Sequence, residues 1–199
     1  MNDRGGKILG IALNDSDFPV SSIVDGRCVY CPIYSMWKQM IYRCYNKTYL
    51  ARQPTYIGCE VHDEWLLLSK FREWAESKDW KGNHLDKDIL FPGNKIYSPE
   101  TCAFVSKGLN NFLTLRERGR GKYMIGVSFD ESRKKFLAQC CDPFKNGSSH
   151  VGYFDSEIEA HDAWRAKKRK IALMYAEIQT DDRVSEALRT MFLPKELMQ

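Results

Sequence analysis

From Ile33 onward apolar residues return at helical spacing: Ile33, Trp37, Met40, Ile41, Cys44 and Tyr45 fall on one face, which predicts a packed helix. A second helix is predicted from about Asp63 to Ser77, with Trp65, Leu68, Phe71 and Trp74 turned inward. Leu85-Asp86-Lys87-Asp88-Ile89-Leu90 alternates apolar and charged positions and suits a short strand. Phe91-Pro92-Gly93-Asn94 and Ser98-Pro99-Glu100 are turn signals, and Cys102–Val105 reads as the returning strand. Ser106 then caps a helix running through Phe112. Residues 1–30 are rich in Gly, Asp and Ser without a clear period and are expected to form a loosely structured arm.

Past Arg118-Gly119-Arg120-Gly121 the texture changes. Three strand candidates follow, Tyr123–Phe129, Lys135–Cys141 and Ser149–Phe154, separated by polar, Gly- or Pro-containing turns. Ser156-Glu157-Ile158-Glu159 is a capping box that opens a helix to about Glu177, with Ile158, His161, Trp164, Lys168, Ile171 and Tyr175 on one face. A last short helix is predicted from Asp182 to Met191. The expected class is therefore α+β: an arm over 1–30, a helical and strand–strand–helix unit over 31–117, a three-stranded antiparallel sheet packed on one helix over 118–180, and a C-terminal helix and tail over 181–199.

Composition changes this picture little, but charge does. The chain has 199 residues, 43% of them hydrophobic, enough for one or two cores. The net charge is +4, yet between Arg116 and Lys170 there are 13 Lys/Arg against 8 Asp/Glu. Such a basic stretch suggests an electrostatic footprint, with a solvated charged face as the alternative. No apolar run approaches the roughly 20 residues that span a bilayer, and the N-terminal apolar stretch is too short for a signal peptide. Seven scattered cysteines suit reduced thiols and a cytoplasmic protein. No nucleotide-binding loop or organic-cofactor motif is apparent.

Ile125-Gly126-Val127, Lys135-Phe136-Leu137-Ala138, Cys141-Asp142-Pro143, Val151-Gly152-Tyr153-Phe154-Asp155, Glu159-Ala160 and Ala163-Trp164 follow one another in a familiar order. Over about 50 residues this resembles the DNA-binding domain of plant ethylene-response factors (the Apetala-two type), which also occurs in phage and bacterial proteins beside nuclease modules. The resemblance implies that the sheet, rather than the helix, enters the major groove, where a β-ribbon fits. The face so implied offers Ser128, Asp130, Arg133, Lys135, Gln139, Cys141 and His150. Arg133, Lys134 and Lys135 suit phosphate, and Gln139 suits an adenine edge. Arg118, Arg120 and Lys122 are candidate backbone contacts in the linker. The family usually carries more Arg and Trp on this face than stand here. For each residue the plain alternative is a solvated polar side chain, and Lys167–Lys170 reads equally as the solvent side of its helix.

The stretch Leu85–Phe112, with Tyr56-Ile57-Gly58-Cys59-Glu60-Val61-His62-Asp63-Glu64-Trp65 upstream, resembles the HNH ββα-metal nuclease core and, more closely, phage homing-endonuclease-like proteins. That resemblance implies a phage origin, the cytoplasm of an infected bacterium, and metal-dependent nicking or cutting of double-stranded DNA. It implies Mg²⁺ or Mn²⁺ held by Asp86 and Asn110, with Asn111 and Asp88 as further candidate ligands. The general-base position, usually His, holds Lys87, and the Asn expected after the Pro-Glu pair is Thr101. A lysine is protonated near neutral pH unless desolvated. His84, two residues before Asp86 and so on the same side of an extended strand, is the alternative base, or simply an exposed residue.

Cys28-x-x-Cys31 and Cys59-x-x-His62 have the spacing of two halves of a structural zinc site, with buried thiols as the plainer reading. Three functions compete at this stage: a phage homing-type endonuclease, a catalytically degenerate DNA-binding protein, and an interaction protein directed at a host factor.

Overall fold

Indole and phenol rings anchor both halves of the chain. The computed structural model describes residues 6–114, 122–145 and 148–193. The chain divides into two units, Met1–Val105 and Ser106–Gln199. The architecture is mixed α+β, with small sheets and short helices around one long one.

In the first unit, β1 (Lys7–Ile8) pairs antiparallel with β2 (Ala12–Leu13), and β3 (Ser21–Val24) with β4 (Arg27–Tyr30). Asp25 and Gly26 have φ of 49° and 72°, the left-handed pair of a two-residue hairpin turn. Then come α1 (Pro32–Tyr45), α2 (Lys47–Arg52), β5 (Glu60–Val61), a 3-10 turn at Asp63–Leu66, α3 (Leu68–Glu76), β6 (His84–Asp86), β7 (Ile96–Tyr97) and β8 (Ala103–Val105). β5 runs parallel to β7, and β6 antiparallel to β8.

The predicted stripe of α1 packs as expected: Ile33, Trp37, Met40, Ile41 and Cys44 are buried, joined by Tyr34. Trp37 Nε1 donates to Trp65 O at 2.7 Å, so the largest buried side chain of α1 is also hydrogen-bonded. Tyr45 is half-buried, and its hydroxyl accepts Val61 N–H at 3.0 Å. Trp65, Phe71 and Trp74 form a ring cluster with centroids 4.5–6.1 Å apart.

The single helix expected over Asp63–Ser77 is broken at Leu67 into a 3-10 turn and α3, and two further expectations in this unit need correction. Residues 1–30 are not a loose arm where described: they form two hairpins, bury Ala12, Asn14 and Val20, and cap α3. Asp15 accepts Ser69 N–H at 2.8 Å and the Ser69 hydroxyl at 2.5 Å, supplying the cap that Leu67 at the helix start has no side chain to give. The second correction is that the strand expected over Leu85–Leu90 spans only His84–Asp86. Asp86 Oδ1 accepts the N–H groups of Asp88 and Ile89, both at 2.8 Å, and so bends the chain out of the ladder.

The second unit holds α4 (Lys107–Leu113), β9 (Val127–Asp130), β10 (Lys135–Cys141), β11 (Ser148–Phe154), α5 (Glu157–Ala176) and α6 (Asp182–Thr190). Ser106 caps α4 by accepting Leu109 N–H, and the predicted capping box opens α5, with Ser156 and Glu159 each accepting the other's N–H. β10 is the central strand of an antiparallel sheet of order β11-β10-β9. His161, Trp164, Lys168, Ile171 and Tyr175 of α5 are buried, whereas Ile158, expected on the same face, is 62% exposed. Lys168 Nζ donates to Phe112 O at 2.6 Å and lies 3.8 Å from the Phe112 ring centroid, so it ties the end of α4 to α5. Burial pushes its ammonium below the ordinary lysine value.

Just before β9, the backbone of Gly126 lies against the Trp164 ring of α5. Its φ is 80°, and a β-carbon there would stand 2.1 Å from Trp164 Cδ1. Beside it, His161 Nδ1 donates to Ile125 O at 3.0 Å. Gly126→Ala therefore meets both left-handed strain and a clash. It is expected to cost about 2–4 kcal/mol, read as a lowered urea midpoint for the second unit. A loss under about 0.5 kcal/mol would mean that Trp164 does not sit there.

Candidate nucleic-acid interface

In a strand successive side chains alternate faces, so the register fixes what the sheet shows to solvent. In β10, Ala138 and Cys140 are buried while Gln139 and Cys141 are exposed. Ala138 stands opposite Val127 and Gly152, and Phe136 opposite Phe129 and Phe154; these lie on one face. The other face carries Asp130 opposite Lys135, Ser128 opposite Leu137, Leu137 opposite Tyr153, Gln139 opposite His150, and Cys141. All seven residues predicted for this face are thus exposed or half-buried, with Arg133 on the turn beside them.

Two contributors escaped the sequence reading. Tyr153, 36% exposed, packs its ring 4.9 Å from that of His150, and the Arg133 guanidinium lies 4.9 Å above the same ring. Leu137 sits half-buried between Ser128 and Tyr153. The signal for both was the two-residue period itself, since each is one step from a residue that faces inward.

The β9–β10 turn is built by Asp130. Its Oδ1 accepts the Ser132 hydroxyl at 2.6 Å and the N–H groups of Ser132 and Arg133 at 3.0 and 3.1 Å. Those bonds, the Ser132 hydroxyl first, hold its carboxyl well below the usual carboxylate range. Lys134 closes the turn at φ 53°. Each cation here has an acidic neighbour: Arg133 with Asp130 at 3.0 Å, Lys134 with Glu131 at 2.9 Å, Lys135 with Asp155 at 2.8 Å. Exposed pairs of this kind are weak in water.

Elsewhere the basic run of α5 is largely consumed by the fold. Lys167 binds Asp142 at 2.6 Å, Lys168 is buried, and Arg169 donates to the carbonyls of Arg189 and Met191. Arg165 donates to Leu193 O. Lys122 is exposed, its Nζ 5.0 Å from the Tyr123 ring. Arg118 and Arg120 lie outside the described residues.

The residues expected to form a nuclease centre are engaged differently. Asp86 is half-buried and spends Oδ1 on its own turn. Lys87 is buried, with Nζ donating to Asp88 Oδ1 at 2.6 Å and to Asn94 O at 2.5 Å. Asn94 in turn donates to the carbonyls of Lys87 and Ile96. The ammonium thus stands on the carboxylate that a second metal ligand would have to offer. His84 is exposed on β6 opposite Val105. Asn110 is half-buried and Asn111 exposed on α4, in the other unit. One oxygen of Asp86 and one of Asp88 are thus already engaged within the segment. Among the described residues no group of three or more His, Cys, Asp or Glu is placed to hold a metal ion. Nor does such a group arise from Cys28 (exposed), Cys31 (half-buried), Cys59 (buried) and His62 (exposed).

No family model matches this chain, and no curated protein and no solved structure matches it. Among the described residues no helix is long and apolar enough to cross a membrane.

Desolvation raises the Asp86 carboxyl above its ordinary value of 3.8, against the lowering effect of its two backbone bonds. With a raised folded value, its relative contribution is most favourable below the unfolded value and declines as pH rises through the folded one. Asp86→Asn keeps an acceptor for Asp88 and Ile89 without the charge. It is expected to equal or exceed the wild type in stability at pH 7, with the margin vanishing toward pH 3. Asp86→Ala loses both bonds and costs about 1–3 kcal/mol. Urea titrations across that range check both; an Asn variant as damaged as the Ala variant at pH 7 would refute this role for the carboxylate.

Proposed function

We propose that the protein binds double-stranded DNA through the open face of the C-terminal sheet. The observation that carries this reading is the gathering of Ser128, Arg133, Lys135, Gln139, His150 and Tyr153 on one solvent-facing surface, while α5 occupies the other side. A twisted antiparallel ribbon fits the major groove and presents alternate side chains to base edges. Gln139 is suited to an adenine, and Arg133 and Lys135 to flanking phosphates once they leave their carboxylate neighbours. Charge supports the same unit: residues 106–199 hold 17 Lys/Arg against 13 Asp/Glu, while 1–105 is balanced at 13 of each. The resemblance to the ethylene-response-factor domain points the same way.

A metal-dependent nuclease is the second reading. It is favoured by the antiparallel pair β6 and β8 followed in the chain by α4, the order of an HNH core. The engagement of Asp86 and Lys87 in their own turn ranks it behind binding without cleavage.

Fluorescence anisotropy with a labelled duplex between 50 and 200 mM salt tests the proposal. Binding is expected to weaken linearly on a log–log plot, and Arg133→Ala and Lys135→Ala should each flatten the slope by about 0.9. Gln139→Ala should alter preference among duplex sequences and leave the slope unchanged. Duplex binding indifferent to all three substitutions would overturn the proposal, as would no binding at low salt.

A further inference from the structure

The first unit carries an aromatic cleft of about 380 Å³ that the duplex-binding reading does not use. It is lined by Tyr30, Tyr34, Ser35, Lys38, Gln39, Tyr42, Arg43 and Tyr49. Its floor is one side of α1, where Tyr34, Lys38, Gln39, Tyr42 and Arg43 recur at helical spacing. Tyr30, at the end of β4, forms one wall, and Tyr49, in the first turn of α2, another. Asn46 fixes that second wall, because its side chain caps α2 by accepting Tyr49 N–H at 2.8 Å.

Three features define what such a cleft takes. First, its aromatic surface is braced. Tyr30, 44% exposed, is stacked on the buried Tyr34 with centroids 5.7 Å apart and planes 28° apart, and Tyr49 meets Tyr56 edge-on at 5.7 Å. Second, a cation sits among the rings: Lys38 Nζ is 5.5 Å and 5.7 Å from the centroids of Tyr30 and Tyr34, while the Arg43 guanidinium turns to Tyr56 and Tyr97 behind the cleft. Third, none of the eight lining residues is acidic. Flat apolar rings, hydrogen-bonding Ser and Gln side chains and uncompensated positive charge together call for a planar, polar-edged, anionic ligand. Aromatic platforms interleaved with Lys and Arg are how proteins hold unpaired bases, with stacking on the ring and the cation on the phosphate. The cleft lies open to solvent, so a continuous strand can enter and leave it, and its volume is at the small end for ligand sites.

We infer that this cleft binds an unpaired nucleotide of a single nucleic-acid strand, with the base on Tyr30 and Tyr42 and the phosphate on Lys38. The site is independent of the duplex-binding face, since every residue in it belongs to the first unit.

The test is an anisotropy titration of the full chain with a labelled ten-residue oligodeoxythymidylate. Five variants are compared: Tyr42→Ala, Tyr42→Phe, Lys38→Gln, Gln39→Glu and, as the control from the other unit, Arg133→Ala. Tyr42→Ala should weaken binding about fivefold to a hundredfold, with Tyr42→Phe restoring most of it. Lys38→Gln should lower the log–log salt slope by about 0.7. Gln39 is an exposed helix position where substitution leaves the fold intact. Gln39→Glu sets a negative charge beside the phosphate and should weaken binding severalfold. Arg133→Ala should leave the oligonucleotide affinity unchanged whether or not it affects duplex binding, which separates failure of this inference from failure of the duplex reading. Absence of oligonucleotide binding by the wild type would overturn the inference, and so would equal affinity in Tyr42→Ala, Lys38→Gln and Gln39→Glu.

Discussion

The contact between α5 and one face of the β9–β11 sheet governs the C-terminal unit. Trp164 comes so near the backbone of Gly126 that no side chain fits between them, and His161 adds a hydrogen bond to the neighbouring carbonyl. Ala138 and Cys140 are buried on the helix-facing side. Because strand side chains alternate, sealing one face against a helix delivers the other to solvent as a set. The surface that gathers Arg133, Gln139, His150 and Tyr153 is a consequence of that packing and needs no separate scaffold. The same helix spends its own charges on the fold: Lys167, Lys168 and Arg169 are bound to Asp142, Phe112 and the carbonyls near the end of α6. What appears in the sequence as a basic helix is mostly internal fastening, and the exposed cations Arg133 and Lys134 lie on the β9–β10 turn.

Electrostatics on that turn are poised rather than strongly attractive. Arg133 and Lys134 on the turn, and Lys135 at the start of β10, each pair with a carboxylate at 2.8–3.0 Å. In water such pairs are weak, and a polyanion that releases counterions competes effectively with them. Gln139, His150 and Ser128 share the same open face of the sheet. The Asp86–Asp88 segment makes the opposite use of charge. There the buried Lys87 ammonium binds Asp88 and the Asn94 carbonyl, and the Asp86 carboxylate accepts the N–H groups of Asp88 and Ile89.

Long periodic segments were legible in the sequence. The α1 stripe, the capping box before α5, the Ser106 cap and the second and third strands of the C-terminal sheet lie where their patterns placed them, because burial imposes their periods over many residues, whereas the first strand, expected over Tyr123–Phe129, is Val127–Asp130. Short elements were not. β1, β2, β5 and β7 have two residues each, too few to display a period, and so residues 1–30 passed for an arm. One local cue existed there: Asp25-Gly26 between Ser21–Val24 and Arg27–Tyr30 is a hairpin signature. For the candidate site, the face of the sheet could be read from alternation, but the pairing of each cation with its carboxylate could not. That depends on turn geometry set by Asp130 and on the approach of β11 to β10. Nor did the sequence reveal that Lys87 would be buried against Asn94, since that contact closes a loop through Phe91-Pro92-Gly93.

The most direct measurement is hydrogen–deuterium exchange of the full chain with and without a duplex oligonucleotide. If the open sheet face is the nucleic-acid surface, added protection should concentrate in 127–141 and 148–154, leaving the α5 segment 157–176 unchanged because its inner side is already sealed. Protection centred on α5, or none in the second unit at a duplex concentration that saturates binding, would contradict the account.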